Sequence, residues 1–442
     1  MKETVSIFWF RRDLCLSDNT GLYFALKENE NVLPIFIFDT EILNKLENKQ
    51  DRRVDFIHKA LSEMDVLLRS KGSGLKTFYD SPIQAFTTLF KNYKIKNIYA
   101  NHDYEPYARK RDEAIRELAE SKGISFKTFK NQCIFEKDEV CKDDGKPYTI
   151  FTPYSRKWKG LLKEEHVKKY NSEKYHHNFY KYEAKAIHTL NSIGFHPTAI
   201  VFNSKPPLSK SLLLKYKEQR DFPAIAGTSR LSMHLRFGIV SVRTLVAHAQ
   251  QHSETWLNEL IWREFYMSIL WHFPHCEKSA FKKQYDAVQW RVDEDGFKRW
   301  CEGKTGFPIV DAGMRELNAT GFMHNRVRMI VSSFLVKDLL IDWRWGEAYF
   351  AEKLNDFDLS ANNGGWQWAA GCGCDAAPYF RIFNPTEQQK RFDPEFKYIK
   401  KWVPEFGTDK YPAPMIDHAM ARKRTLEVYK KALNNVKQGE LF

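Results

Sequence analysis

The feature that most constrains this chain is a change of periodicity part-way along it. Over residues 1–130, short runs rich in β-branched and aromatic side chains recur: Val5–Phe10, Val32–Phe38, Leu75–Tyr79, Asn97–Ala100 and Ile124–Phe129. Each has the length of a strand rather than a helix. Helical patterns lie between them. In Arg53–Lys71 the residues Val54, Ile57, Leu61, Met64 and Leu68 form one stripe, and Gly72 supplies the stop. Strands alternating with helices require right-handed crossovers, so these residues predict a doubly wound α/β domain with a parallel sheet. From Ser209 onward strand signals vanish and long helical patterns take over, as in Ser241–His272, Gly306–Ala319 and Met323–Leu340. Residues 131–205 follow neither rhythm and are rich in Lys, His and Tyr, for example Lys168-Lys169-Tyr170 and Lys174-Tyr175-His176-His177. The expected organisation is an α/β domain over 1–130, a surface linker over 131–205 and an all-helical domain over 206–442.

Charge points to a class of partner. The chain carries 69 Lys and Arg against 56 Asp and Glu, a net +13, which favours a polyanion because each phosphate contact releases a counterion. Aromatic residues reach 15%, with 12 Trp, a side chain that fills cores and also stacks on bases and flavins. The seven cysteines are odd in number and include no CxxC pair, so neither a disulfide framework nor a zinc or iron–sulfur site is expected. No apolar run is long enough for a bilayer, and the start MKETVSIFWF lacks a signal-peptide core. These features predict a cytoplasmic protein.

Several familiar signatures fail on spacing. Gly303-Lys304-Thr305 imitates the end of a phosphate loop, but Lys298 stands where its first glycine belongs. Gly371-Cys372-Gly373 lacks the third glycine of a dinucleotide fingerprint. HExxH and GxSxG are absent. Asp356 and Asp358 could hold a divalent metal, although carboxylates beside a helix end are more often caps or ion-pair partners, and no metal is expected.

Three segments carry side chains that make poor sense as plain structure. In Trp256–Tyr266, helical spacing puts Glu259, Trp262, Arg263 and Tyr266 on one face. That face suits either an ion-paired seam between helices or a cavity floor that stacks on a base and hydrogen-bonds its edge. In Gly321–Met329, residues Asn325, Arg328 and Met329 share a face with Ser332. The third, Asn355–Trp368, contains Asn362-Asn363-Gly364-Gly365, which reads as a turn between helices where backbone approaches a ligand, or as a helix cap.

Together these segments resemble the photolyase/cryptochrome family, and within it the bacterial class I cyclobutane pyrimidine dimer photolyases. The motifs RDFPAIAGTSRLS, WLNELIWREFY, EGKTGFPIVDAGMRELNATGFMHNRVRM, FLVKDLLIDWRWGE and DLSANNGGWQWAAGCGCDAAPYFRIFNP carry the resemblance, which runs from the N-terminal IFWFRRDLCLSDNTGL to about Phe392. It implies an all-helical C-terminal domain binding FAD noncovalently, reduced in the active form. Tyr216 and Thr228-Ser229-Arg230-Leu231-Ser232 would hold the phosphates, and Trp256 would line the pocket. Arg328 and Asp356 would pair across the isoalloxazine, with Asp358 nearby. Asn362 would face flavin N5, its amide oxygen accepting the N5 proton's hydrogen bond. The family's chemistry is light-driven splitting of a pyrimidine dimer flipped out of UV-damaged DNA. Trp262 and Trp368 resemble the indoles that sandwich the dimer. Glu259 and Asn325 would hydrogen-bond the thymine edges, Met329 would pack against them, and Glu259, Asn325 and Arg263 would also line the cofactor cavity.

Arg220, Arg263, Arg326 and Arg381 resemble the arginines that hold phosphates around the lesion, with Gln388 and Lys390 in the same work. Trp366, Trp343 and Trp290 match the electron-transfer chain from flavin to surface. Asn325 and Met329 stand where (6-4) photolyases carry histidines, and only about fifty residues follow Phe392, where signalling cryptochromes extend long tails. The alternatives are a blue-light cryptochrome, including the DASH type, or a (6-4) photolyase. A second, antenna chromophore is expected, whether deazaflavin, flavin or folate. Ala108, in Tyr104-Glu105-Pro106-Tyr107-Ala108-Arg109, stands where folate-binding relatives show Glu, which weighs against folate. The expected protein is a monomer that associates with the nucleoid through DNA.

Overall fold

The computed structural model describes residues 2–439, with side chains through Asn434. Two compact units divide it. The first comprises residues 1–136, 161–207 and 230–251, and the second residues 137–160, 208–229 and 252–442.

The first unit is built on five parallel strands: β1 (Thr4–Phe10), β2 (Val32–Asp39), β3 (Lys76–Asp80), β4 (Lys94–Asn101) and β5 (Ser125–Phe129), in the order β3-β2-β1-β4-β5. This is the expected doubly wound sheet. Alternation along β1 sends Phe8 and Phe10 into one core with Phe36, Phe38, Leu61 and Met64, and Val5, Ile7 and Trp9 into the other with Ile35, Phe86 and Ile115. Helix Arg52–Arg69 is capped by Asp51, and Gly72 follows it at φ +75°. The strand β4 runs further than its apolar stretch, because β1 and β5 pair with it on both sides.

Residues 131–205 differ from the expected surface linker. Trp158 and Phe179 are fully buried, Phe179 in the first unit's core beside Ile193 and Phe195. Helix Phe151–Leu161 buries Tyr154 and Trp158, and Trp158 Nε1 donates to the buried Glu264 carboxylate at 2.6 Å in the second unit. Lysines and histidines around these aromatics mask their pattern in the sequence.

The second unit is helical. Ser241–His272 is two helices, Val242–His252 and Glu254–His272, parted at Ser253, whose side chain caps the Trp256 amide. The first of these belongs to the other unit apart from its last residue. Met323–Leu340 is an α-helix, Asn325–Ser333, running into a π-helical stretch, Phe334–Asp338. Around Glu254–His272 and Asn325–Asp338 pack Pro308–Thr320, Trp343–Lys353 and Leu359–Ala370, over a core containing Trp300, Phe334, Leu335 and Trp366. No helix among the described residues is long and apolar enough to cross a membrane.

Candidate active site

Helix Glu254–His272 supplies the first wall. Leu257, Leu260, Ile261 and Phe265 are buried, and Glu259, Trp262, Arg263 and Tyr266 are half-buried. Trp262 is stacked on Phe151, ring centroids 3.7 Å apart and planes within 5°, and leans on Tyr266 at 5.5 Å. Arg220 donates to the Glu259 carboxylate. Burial pushes that carboxyl above its usual range, and the Arg220 guanidinium opposes the shift. Arg220 also lies against the ring of Tyr216, whose buried phenol is pushed up as well.

The second wall is Asn325–Ser333, begun by a His324 cap. Asn325 is exposed in its first turn, and Arg328 and Met329 are half-buried. Arg328 donates to both Asp356 oxygens at 2.9 and 3.1 Å and through Nε to the Met323 carbonyl at 2.8 Å. Asp358 caps the next helix through the Ala361 amide. Of the two carboxylates that the sequence left open between metal and cap, one is therefore an ion-pair partner and the other a cap.

The Asn362-Asn363-Gly364-Gly365 run is not a turn. It lies inside Leu359–Ala370, and Gly364 serves packing: a Cβ there would run into the Tyr266 ring, whereas at 365 nothing stands within 4 Å. Close helix approach outweighs the ~1 kcal/mol helix cost of glycine. Asn362 donates to the Glu347 carboxylate at 2.8 Å and to its carbonyl at 3.1 Å, which orients the amide with its oxygen pointing elsewhere. Burial raises the Glu347 pKa and Asn362 opposes it. Gln367 ties the helix down, donating to the Cys276 and Ser279 carbonyls and accepting from Phe281.

Among the other predicted residues, Trp256 is buried and Trp368 half-buried, 6.4 Å from Phe383. Thr228 and Ser229 belong to the second unit, and Arg230, Leu231 and Ser232 to the first, with Leu231 buried. Arg381 and Lys390 are exposed and Gln388 is half-buried. Trp366 and Trp343 are buried and Trp290 is half-buried. Trp366 packs edge-on against Phe350 at 5.0 Å and Trp300 at 6.0 Å, and Trp290 meets Tyr429 at 5.9 Å.

Two donors bear on a cofactor. Trp366 Nε1 and Asn363 Nδ2 are buried without a hydrogen-bond partner among the described residues, on one side of one helix. Buried N–H groups in that condition call for acceptors from outside the chain. With the Arg328–Asp356 pair, the oriented Asn362 amide and surrounding indoles, this donor set fits a flavin.

A helical unit with these features and a doubly wound α/β unit define a flavin-dependent, photolyase-like protein. Residues 6–171 match the family described as DNA photolyase, and residues 256–409 match the FAD binding domain of DNA photolyase. The deoxyribodipyrimidine photo-lyase of Vibrio cholerae is 37% identical over 96% of this chain and 99% of its own length. A class III photolyase from Agrobacterium tumefaciens superposes with TM-score 0.88 at 32% identity, covering 98% of both chains. An archaeal photolyase from Sulfolobus tokodaii, solved with two FAD molecules, does so with TM-score 0.82 at 34% identity over 97% of this chain and all of its own. The chain belongs to the DNA photolyase family and contains its FAD-binding domain.

Phe151, Glu347 and Gln367 belong to the site without having been marked as candidates by any sequence motif. Phe151 sits in the aromatic-dense stretch FTPYSRKW, the one signal that could have found it.

Proposed function

We propose that this protein is a light-driven DNA repair enzyme that splits cyclobutane pyrimidine dimers with bound, reduced FAD. The observation that carries the reading is the half-buried face of Glu259, Trp262, Arg263 and Tyr266, a polar and aromatic surface that neither a core nor a solvated helix requires.

When bound, FAD supplies the photoexcited electron donor. The chain supplies orientation and electrostatics. Arg328 and Asp356 would flank the isoalloxazine as a neutral pair. Asn362, fixed by Glu347, would present its amide oxygen toward N5. Tyr216 and the 228–232 segment would hold phosphates through hydroxyl and backbone N–H groups. Trp366, Trp343 and Trp290 would carry the hole away during photoreduction.

For the substrate, Trp262 and Trp368 would stack on the flipped dimer, and Met329 would pack against it. Asn325 would donate to a thymine edge. Glu259, whose carboxyl burial pushes above its usual range, would hydrogen-bond the same edge and offset charge developing there. Arg220, Arg263, Arg326 and Arg381, with Gln388 and Lys390, would hold the backbone. Asn325 and Met329 support a cyclobutane dimer over a (6-4) product. Repair of a dimer-containing oligonucleotide in light but not darkness tests the reading. The second, antenna chromophore is proposed for the α/β unit.

A further inference from the structure

Arg326, proposed above as a phosphate ligand, already holds an anion. Its Nη2 donates to Asp221 Oδ1 at 2.8 Å and its Nε reaches the same oxygen at 3.3 Å. The guanidinium also lies 4.3 Å from the Phe392 ring centroid, which fixes its plane. Asp221 stands 4.0 Å from Arg220 as well, so Glu259, Arg220, Asp221 and Arg326 form a row of alternating charge. The Asp221 side chain is 36% exposed, twice the 18% of Arg326, so the acid lies on the solvent side of the pair, where an incoming phosphate would approach.

We infer that Asp221 is an internal competitor for backbone phosphate, occupying Arg326 in the free protein and holding down its affinity for DNA. The inference rests on the proposed phosphate role of Arg326. The geometry fits an exchangeable anion. Asp221 offers one oxygen to two N–H groups instead of the parallel two-oxygen fork that locks an arginine pair, and it is partly exposed to solvent. A phosphate that displaces it gains Arg326 and also meets the repulsion of a nearby carboxylate. The consequence is short residence on undamaged DNA, where phosphate contacts are the whole of the affinity and where competing sites far outnumber lesions.

The test uses the full chain with FAD bound and measures affinity for an undamaged duplex over a range of salt. Asp221→Asn keeps shape and an acceptor but removes the charge. It should tighten binding about fivefold, or ~1 kcal/mol at 1.4 kcal/mol per tenfold, and steepen the log–log salt slope by about 1. Glu302→Gln, which neutralises an exposed acid paired with Lys304, controls for overall charge and should change binding by much less. The decisive arm repeats Asp221→Asn in an Arg326→Ala background, where a competitor acting through Arg326 has no effect left to give. Equal affinity and slope for Asp221→Asn and the parent, or the same gain with and without Arg326, overturns the inference. Weakened binding by Asp221→Asn also overturns it, since Asp221 would then be preparing Arg326 for phosphate. If Arg326→Ala alone binds DNA as the parent does, the phosphate role of Arg326 fails instead.

Discussion

Gly346 offers a quantitative check on the site, because the seat of Trp366 depends on its lack of a side chain. A Cβ at 346 would lie 2.6 Å from Leu335 Cδ2 and closer still to Cη2 and Cζ3 of Trp366. All three residues are buried, so a shift of either neighbour disturbs the core packed around it. Overpacking a filled core costs ~1–3 kcal/mol. At roughly 2 °C per kcal/mol, Gly346→Ala should lower the melting midpoint by about 2–6 °C. Because the clash falls on the six-membered ring of the indole, the variant should also photoreduce oxidised FAD more slowly. Protein reduced chemically beforehand should repair at close to the parent rate. The clash supplies its own control. Trp366→Phe removes the two closest colliding atoms and leaves only the Leu335 contact, so Gly346→Ala should cost less in that background, a coupling between touching residues. Melting and photoreduction of Gly346→Ala indistinguishable from the parent would refute the placement of Trp366.

Three further outcomes are expected. Glu259→Ala should leave FAD bound, as its absorbance reports, while repair per absorbed photon falls by about tenfold, the size of one hydrogen bond to a charged group; an unchanged yield would remove the role given to Glu259. Trp366→Phe should slow photoreduction yet spare repair by protein already reduced, measured by flash absorbance and by dimer loss; photoreduction at the parent rate would exclude the chain. Lys337 is buried beneath Tyr429, donates to the Ala370 carbonyl, and is pushed down by burial to about 7. Its unfolded form keeps its proton to far higher pH, so the folded state gains stability as pH rises above 7 and bears the full penalty below it. Melting curves for Lys337→Met should lose that part of the rise between pH 7 and 9; parallel curves would contradict the shift.

The sheet was legible because each strand is a short apolar run with helices between, a pattern that admits few other topologies. Ser253 shows what periodicity hides: its cap interrupts the helix while the apolar spacing continues through it. The Asn362–Gly365 run misled because glycine pairs usually mark turns, and here Tyr266 pressing on Gly364 sets the requirement from another helix. The faces carrying Glu259, Trp262 and Arg328 were legible from spacing alone. The long-range contacts were not, since Phe151 reaches Trp262, Glu347 reaches Asn362 and Asp221 reaches Arg326 across distances in sequence that no local pattern encodes. Asp221 follows Arg220 directly in the RDFPAIAGTSRLS motif, where adjacency in sequence gives no sign of its pairing with Arg326.

The central claim is light-driven repair, and its most direct test is a dimer-containing oligonucleotide mixed with purified, FAD-reduced protein. Blue light should restore intact thymines, and darkness should leave the dimers in place. If bound FAD photoreduces normally and no dimer is split under light, the substrate pocket assigned to Glu259, Trp262, Asn325 and Met329 is contradicted.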